Sequence, residues 1–513
     1  MHFLTILAFA FVFWQAEQPG RWMLIGTEDV TLILVAVLGQ PPALALLATA
    51  AARRAKKLLE NGTRDAQCAY RFHHRAGVIL RALALAGFAA TVFLTSWPRW
   101  FDFTGSSHAF QIVGDLLTFT PFAVNVLALW LAAYPLEVAV PRGEPAAFSN
   151  ADSAGSPHWR LRDYLDFHFR HYLLVVACPM TLILFSANVT RGYGPWLSEW
   201  TGWIWAPETI LGAAAMGVFI VSPAMLRRIW RTKPLEPGAV RARLEATCRR
   251  IGMRCRDILE WNSHGIMINA AVMGVFTPVR YVMLSDGLLT AMDPRQVEAV
   301  FGHEAGHVKH RHIQHFLVFA FFGWLFVVGV MELCAGLLTG FTILSDGALW
   351  IAQGAGALAA VIVWGLGFGW LSRRFEREAD VFGAFCVTPP PSECNIPCSL
   401  HADSARPGAP SGRGVCASGA ALFASALDRV ALLNGIPHDE RSWRHSSIGN
   451  RIRFLARLAG DPVSAQRFER SMRRLKAALL SAAIVGSAFA VYYWWTVPEP
   501  AIIRLQARVA GGP

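Results

Sequence analysis

Long apolar runs dominate this chain, rather than the short amphipathic stripes of a water-soluble fold. A helix needs about 20 apolar residues to cross a ~30 Å hydrocarbon core. Stretches of that kind lie at roughly 29–52, 77–96, 110–135, 171–188, 207–226, 316–340, 346–371 and 476–496. A shorter run at 3–15 lacks a basic flank and a clear cleavage site, so it predicts a retained span, not a removed leader. About nine spans are expected. Pro41-Pro42 falls inside the second and predicts a kink or a re-entrant turn there. Two long polar segments, 227–315 and 372–475, remain, and any chemistry in water is expected in them.

Charge orients the spans. Arg53, Arg54, Lys56, Lys57, Arg64, Arg71 and Arg75 follow the second span, and Arg227, Arg228, Arg231 and Lys233 the sixth. Arg373, Arg374 and Arg377 follow the eighth, while Arg470, Arg473, Arg474 and Lys476 lead into the ninth. The alternate loops carry little, with Arg21, Arg99 and Arg191. Because basic loops stay on the cytoplasmic side, the N-terminus and both polar segments are expected inside, and the C-terminus outside. Trp196, Trp200, Trp203 and Trp205 fit either an interfacial belt or a packed core.

Composition narrows the class. Hydrophobic residues are 54% and charged residues 16%, against about 25% charged in a globular protein. That balance excludes disorder, a disulfide-rich secreted module and a plain cytosolic enzyme. Lys and Arg number 47 against 35 acidic residues, a net of +12 with only five lysines. The basic residues sit beside the spans, so they read as membrane anchors, and no nucleic-acid partner is expected. The preference for Arg over Lys points to a GC-rich, bacterial genome, hence an inner membrane with the polar segments facing the cytoplasm. Nine scattered cysteines imply no secreted framework. Within 372–475, the Pro-, Gly- and Ser-rich stretch 387–419 predicts a mobile insertion, whose Cys394, Cys398 and Cys416 form a weak second metal pattern.

The chemistry centres on His303-Glu304-Ala305-Gly306-His307, an H-E-x-x-H pattern. Asp293-Pro294-Arg295-Gln296 supplies an N-cap, a proline at the first helical position and Gln at N3. A helix starting there is expected to run on into the span near Phe316. On it His303 and His307, four apart, face one way and can share a tetrahedral ion, with Glu304 beside it as general base. The spans at 316–340 and 346–371 should turn near Phe341, 34 residues beyond His307. The returning helix comes level again near Glu376, and Asp380, four further on, shares its face, so one carboxylate can bind the metal and the other orient a ligand histidine. About 34 residues at 1.5 Å each reach about 50 Å, so the ion lies beyond the hydrocarbon, near the inner surface. His310, His312 and His315 are out of register for it and predict a solvated or paired interfacial face.

These motifs resemble the integral-membrane zinc metallopeptidases that include the type-1 CAAX prenyl proteases and the HtpX stress proteases. Ala299–His310 is similar to that family's catalytic helix, and the Glu376/Asp380 pair after Ser372-Arg373 to its third-ligand motif. Asn269-Ala270-Ala271-Val272-Met273-Gly274 resembles its substrate-pairing edge strand, and Val282–Leu289 the strand and turn that follow. His445-Ser446-Ser447-Ile448-Gly449-Asn450-Arg451-Ile452 resembles its H-P-x-x-x-x-R-I element, with Ser446 where the family has proline. The resemblance covers about 230–460.

It implies one zinc ion held by His303, His307 and Glu376, with Glu304 as base and Asp380 behind a ligand. His445 and Arg451 would support the oxyanion or substrate carbonyl, and Asn269 and Ala270 would pair with an extended peptide. The expected fold is a mostly α, polytopic membrane protein of about nine spans. Its inner-side gluzincin-type catalytic domain carries a small β-sheet. Residues 1–226 form an N-terminal membrane region, 227–315 and 372–475 the halves of the catalytic domain, 316–371 a hairpin and 476–513 the last span and outer tail. The expected activity is a zinc endopeptidase acting on peptides or membrane proteins within the lipid bilayer's inner surface. Alternatives are a CAAX-type processor of lipidated C-termini, a sensor protease for one regulatory partner, or a transporter or scaffold. The last would need intramembrane carboxylates along a pathway, for which Asp115 and Glu332 are the candidates. The sequence sets no oligomeric state.

Overall fold

The computed structural model describes residues 1–17, 29–60, 63–139, 160–203, 206–265, 267–338, 345–394, 414–440 and 442–497, with 396, 400 and 501 singly. Two compact units are present, Met1–Thr232 and Lys233–Pro513. Eight helices among the described residues are long and apolar enough to cross a membrane, and His2–Ala16 is a shorter apolar helix. The polytopic, mostly helical architecture with about nine apolar helices is as expected.

The first unit contains α1 (His2–Glu17), α2 (Val30–Leu38), α3 (Gln40–Glu60), α4 (Thr63–Leu94), α5 (Gln111–Ala139), α6 (Leu161–His168), α7 (Val175–Thr201) and α8 (Ala206–Ile229). Its interior is aromatic, with Phe9, Phe88, Phe119 and Phe122 buried together. The Pro41-Pro42 feature is a helix break at Gly39. The prolines fall in the first turn of α3, where missing N–H donors cost nothing. Gln40 bridges three helices: its Nε2 donates to Thr91 Oγ1 at 2.9 Å, and its Oε1 accepts from Asn125 Nδ2 at 2.8 Å. Asp115 accepts from Asn188 at 2.7 Å, so its carboxylate serves helix packing. Trp196, Trp200 and Trp203 are exposed, which excludes a packed core and suits an interfacial belt. Trp205 lies outside the described residues.

The second unit carries a four-stranded sheet, β1 (Lys233–Pro234), β2 (Asp257–Trp261), β3 (Ala270–Met273) and β4 (Tyr281–Ser285), ordered β1-β2-β4-β3. β2 and β4 are parallel and the outer pairs antiparallel. Helix α9 (Ala239–Ile251) lies between β1 and β2, and α10 (Asp286–Ala291) and α11 (Pro294–Lys309) follow β4. Then come α12 (His312–Leu338), α13 (Ser345–Ile362), α14 (Gly369–Cys386), α15 (Ala417–Leu433), α16 (Ile448–Gly460) and α17 (Pro462–Thr496). One turn of π-helix, Val363–Phe368, joins α13 to α14.

Small residues set the approach of the hairpin's two sides. Gly356 faces Met331, Gly323 faces Val363 and Gly367 faces Phe319. The same antiparallel register continues past the span, where Gly306 faces Ala379 and Gly302 faces Gly383 and Cys386. A Cβ on Gly306 would come within 3.0 Å of the Ala379 Cα. The two glycines of the H-E-x-x-H helix therefore let α14 lie directly against it. The turn near Phe341 lies outside the described residues. Glu332, on α12, accepts from Tyr493 at 3.0 Å and from the Ala501 amide at 2.8 Å, a packing role rather than a pathway.

One expectation is corrected. The helix bearing H-E-x-x-H does not run on into the span: α11 ends at Lys309 and α12 begins at His312. Arg311 between them has φ +56°, left-handed for a non-glycine residue.

Candidate metal centre

Asp293 caps α11, its carboxylate accepting from the amides of Arg295 at 2.7 Å and Gln296 at 3.1 Å, with Pro294 at the first helical position. One turn apart on this helix, His303 and His307 turn their Nε2 atoms toward one point, 3.3 Å apart. Glu376, brought alongside by the glycine contacts, places Oε2 3.5 Å from His303 Nε2 and Oε1 3.7 Å from His307 Nε2. The three ligand atoms lie within 4.8 Å of one another. Glu376 Oε2 is buried without a hydrogen bond of good geometry, although His445 Nδ1 stands 2.9 Å away. A buried carboxylate oxygen with an unfilled direction, facing two imidazole nitrogens, fits a cation.

The electrostatics agree. Burial opposes charge on His303, yet the carboxylates of Asp380 and Glu376 overcome it and push its pKa up to about 10. Burial lowers His307 to about 3, with the charge on His303 adding to the effect. The buried carboxylates thus favour positive charge at this point. Burial raises the pKa of Glu304, partly offset by His303 and by a hydrogen bond from the Val272 amide of β3.

His303 and His307 each have their own support. His303 Nδ1 donates to Asp380 Oδ1 at 2.9 Å. Asp380 is fully buried and pairs with Arg451, whose Nε donates to Oδ2 at 2.9 Å while Nη2 contacts Oδ1. His307 Nδ1 lies 2.9 Å from His312 Nδ1, and His312 Nε2 lies 2.8 Å from Glu378. Lys476 and His310 hold that carboxylate, at 2.8 Å and 3.3 Å. A carboxylate accepts the Nε2 proton of His312, so its Nδ1 accepts from His307, and His307 Nε2 keeps its lone pair for the ion.

Several expected residues sit differently. His312 is buried and stacked on Phe375 with ring centroids 4.3 Å apart, not on a solvated face. In an unbroken helix a residue five positions on points well away from His307; the break at Arg311 returns it. Arg451 is buried with its guanidinium committed to Asp380, 3.9 Å from the nearest Glu376 oxygen, so it backs the site instead of reaching an oxyanion. The Asp380 pairing outweighs burial and holds its pKa raised. His445 is half-exposed on the open side of Glu376. Ser446 has φ +66°, a conformation closed to proline, so this turn differs in kind from the H-P element it resembles.

β3 has one strand neighbour among the described residues, so its outer edge is open. Ser285 donates to the Asn269 carbonyl at 3.0 Å. In the antiparallel register this turns the backbone groups of Ala270 and Val272 to the open edge. The Ala270 amide is held by the Asn269 side chain at 2.9 Å. In the insertion, Cys394 and Cys416 lie 3.6 Å apart at sulfur, while Cys398 and most of 395–413 lie outside the described residues.

A polytopic helical protein with an H-E-x-x-H helix, a facing carboxylate and an edge strand is a membrane protease of the metallo type. The comparisons bear this out: residues 234–393 match Peptidase family M48. The protease HtpX homolog of Aeropyrum pernix is 29% identical over 219 residues, 39% of this chain and 68% of the relative. That of Pyrobaculum calidifontis is 36% identical over 117 residues, 23% of this chain and 34% of the relative. The fold is shared with the crystal structure of S. mikatae Ste24p. That likeness has a TM-score of 0.52 and 13% identity, covering 83% of this chain and 98% of the other. The resemblance to integral-membrane metalloproteases of the CAAX-protease and HtpX type therefore stands.

Proposed function

We propose that the protein is a zinc-dependent endopeptidase that hydrolyses peptide bonds of peptides or membrane proteins at the cytoplasmic face of a bacterial inner membrane. The observation that carries this reading is the convergence of His303, His307 and Glu376 on one point, with Asp380 fixing the His303 tautomer. When bound, zinc supplies a Lewis acid that acidifies water and polarises the scissile carbonyl.

The rest is the work of the chain's own residues. Glu304 takes the proton from the attacking water and returns it to the leaving amine, and its raised pKa brings it closer to working pH. The open edge of β3 offers the carbonyls of Ala270 and Val272 to the main chain of an extended peptide, beside Glu304, their amides being held by Asn269 and Glu304. His445, half-exposed next to Glu376, donates to the oxyanion as charge develops there. Arg451 is a positioning residue that keeps Asp380 ionised and aimed at His303.

The test is metal analysis combined with cleavage of casein or a membrane-protein substrate. Wild type should hold one zinc per chain. Glu304→Gln should keep the metal and lose about 10²–10⁴-fold in rate; undiminished cleavage would overturn the mechanism. Glu376→Ala should lose zinc, and retention at wild-type affinity would sink its assignment as a ligand.

A further inference from the structure

Beyond the catalytic centre, α14 and the first half of α17 flank an open groove of about 520 Å³. Trp370 and Arg374 of α14 line one side, and Arg467, Arg470, Arg474 and Leu475 of α17 the other. Spacings of three and four put the α17 arginines on one helical face. Four guanidinium groups are thus gathered around one cavity, and none makes an ion pair with a described carboxylate. What sets these four apart is that they share one cavity: other arginines of the unit are held singly, Arg451 by Asp380, Arg241 by Asp257 and Arg243 by Glu298. Asp461 interacts electrostatically with Arg467, but gathering the like charges of Arg374, Arg470 and Arg474 costs free energy, which a bound anion would recover.

The level of the groove identifies the anion. α17 is a candidate span, and beyond the arginines it exposes Leu480, Ile484, Val485 and Phe489. Arg474 and Arg470 precede Leu480 by six and ten residues, about 9 and 15 Å along the helix, which places their guanidinium groups at headgroup depth when those apolar residues meet acyl chains. Arg374 lies over the Trp370 ring, 4.8 Å from its centroid. Stacking presents its flat fork to the groove, and indole favours the interface. Guanidinium forks match phosphate oxygens in pairs.

We propose that this groove binds the phosphate headgroup of an anionic phospholipid, with Leu475 guiding the acyl chains along α17. Basic pockets between spanning helices serve this purpose by charge and shape together. The site lies on the outer side of α14, the helix that delivers Glu376 and Asp380, so its occupant steadies the element behind the third ligand.

The test uses the delipidated full chain in detergent, titrated with dioleoyl-phosphatidylglycerol or dioleoyl-phosphatidylcholine and followed by native mass spectrometry. Wild type should retain one phosphatidylglycerol and no phosphatidylcholine. Arg470→Gln with Arg474→Gln should weaken phosphatidylglycerol about tenfold, or about 1.4 kcal/mol. Arg227→Gln with Arg228→Gln, at the basic end of α8, should leave it unchanged. Should the double variant fail to fold, Arg470→Gln alone, at an exposed position, carries the test. Equal losses in both double variants would overturn the proposal in favour of diffuse charge attraction. Retention of phosphatidylcholine would overturn it as well, as would complete displacement by millimolar inorganic phosphate, which would make the ligand free phosphate.

Discussion

His303 and His307 are supported in contrasting ways. Behind His303 the support is short and closed: Asp380 touches the imidazole directly, and Arg451 seals the carboxylate inside the fold. Behind His307 it is long and open-ended, passing through His312 to Glu378 and then to Lys476 near the membrane end of α17. The first arrangement depends on one buried ion pair. The second distributes its charge over three partners, drawn from α12, α14 and α17. A short closed support should be stiff and costly to break, whereas the longer one should weaken by degrees.

That contrast can be broken by mutation. The largest effect is expected for Asp380→Ala, which leaves Arg451 buried and unpaired. Loss of one partner from such a pair costs about 3–5 kcal/mol, to be read by denaturant unfolding in detergent, with metal affinity falling as well. A milder result is expected for His312→Ala, which frees the His307 tautomer. Metal affinity should fall about 10–100-fold in a chelator competition, with a smaller loss of folding stability than for Asp380→Ala, and His312→Gln should restore part of the affinity. Smallest is Lys476→Met, which removes one of the partners of Glu378. Zinc affinity should fall by less than about tenfold. If Lys476→Met cost as much as Asp380→Ala, the two supports would not differ in kind.

How much of this was legible in the sequence follows from how far each contact reaches. The i, i+4 spacing of His303 and His307 and of Glu376 and Asp380 is a property of any α-helix, so both pairs could be read locally. The level of Glu376 was legible because two apolar runs of similar length must fold back on each other. The register from Gly356 opposite Met331 to Gly306 opposite Ala379 holds through both the span and the site. His312 was not legible. Its role depends on a break at Arg311 that no proline or glycine marks, and on Lys476, which is 98 residues from Glu378. Arg451 was found by motif but given the wrong orientation, because only the folded structure shows that Asp380 occupies its guanidinium.

What the sequence determined by itself was the bilayer environment, the number and approximate limits of the apolar helices, and the identity of the residues able to hold a metal. These follow from apolar length and from helical periodicity, which act within a few turns of chain. The tertiary structure alone decided which nitrogen of each histidine turns toward Glu376, which groups stand behind it, and which guanidinium groups gather around one groove. Those outcomes depend on contacts between distant helices and on a single left-handed residue. Their energies depend on burial and on angle, neither of which is written in local order.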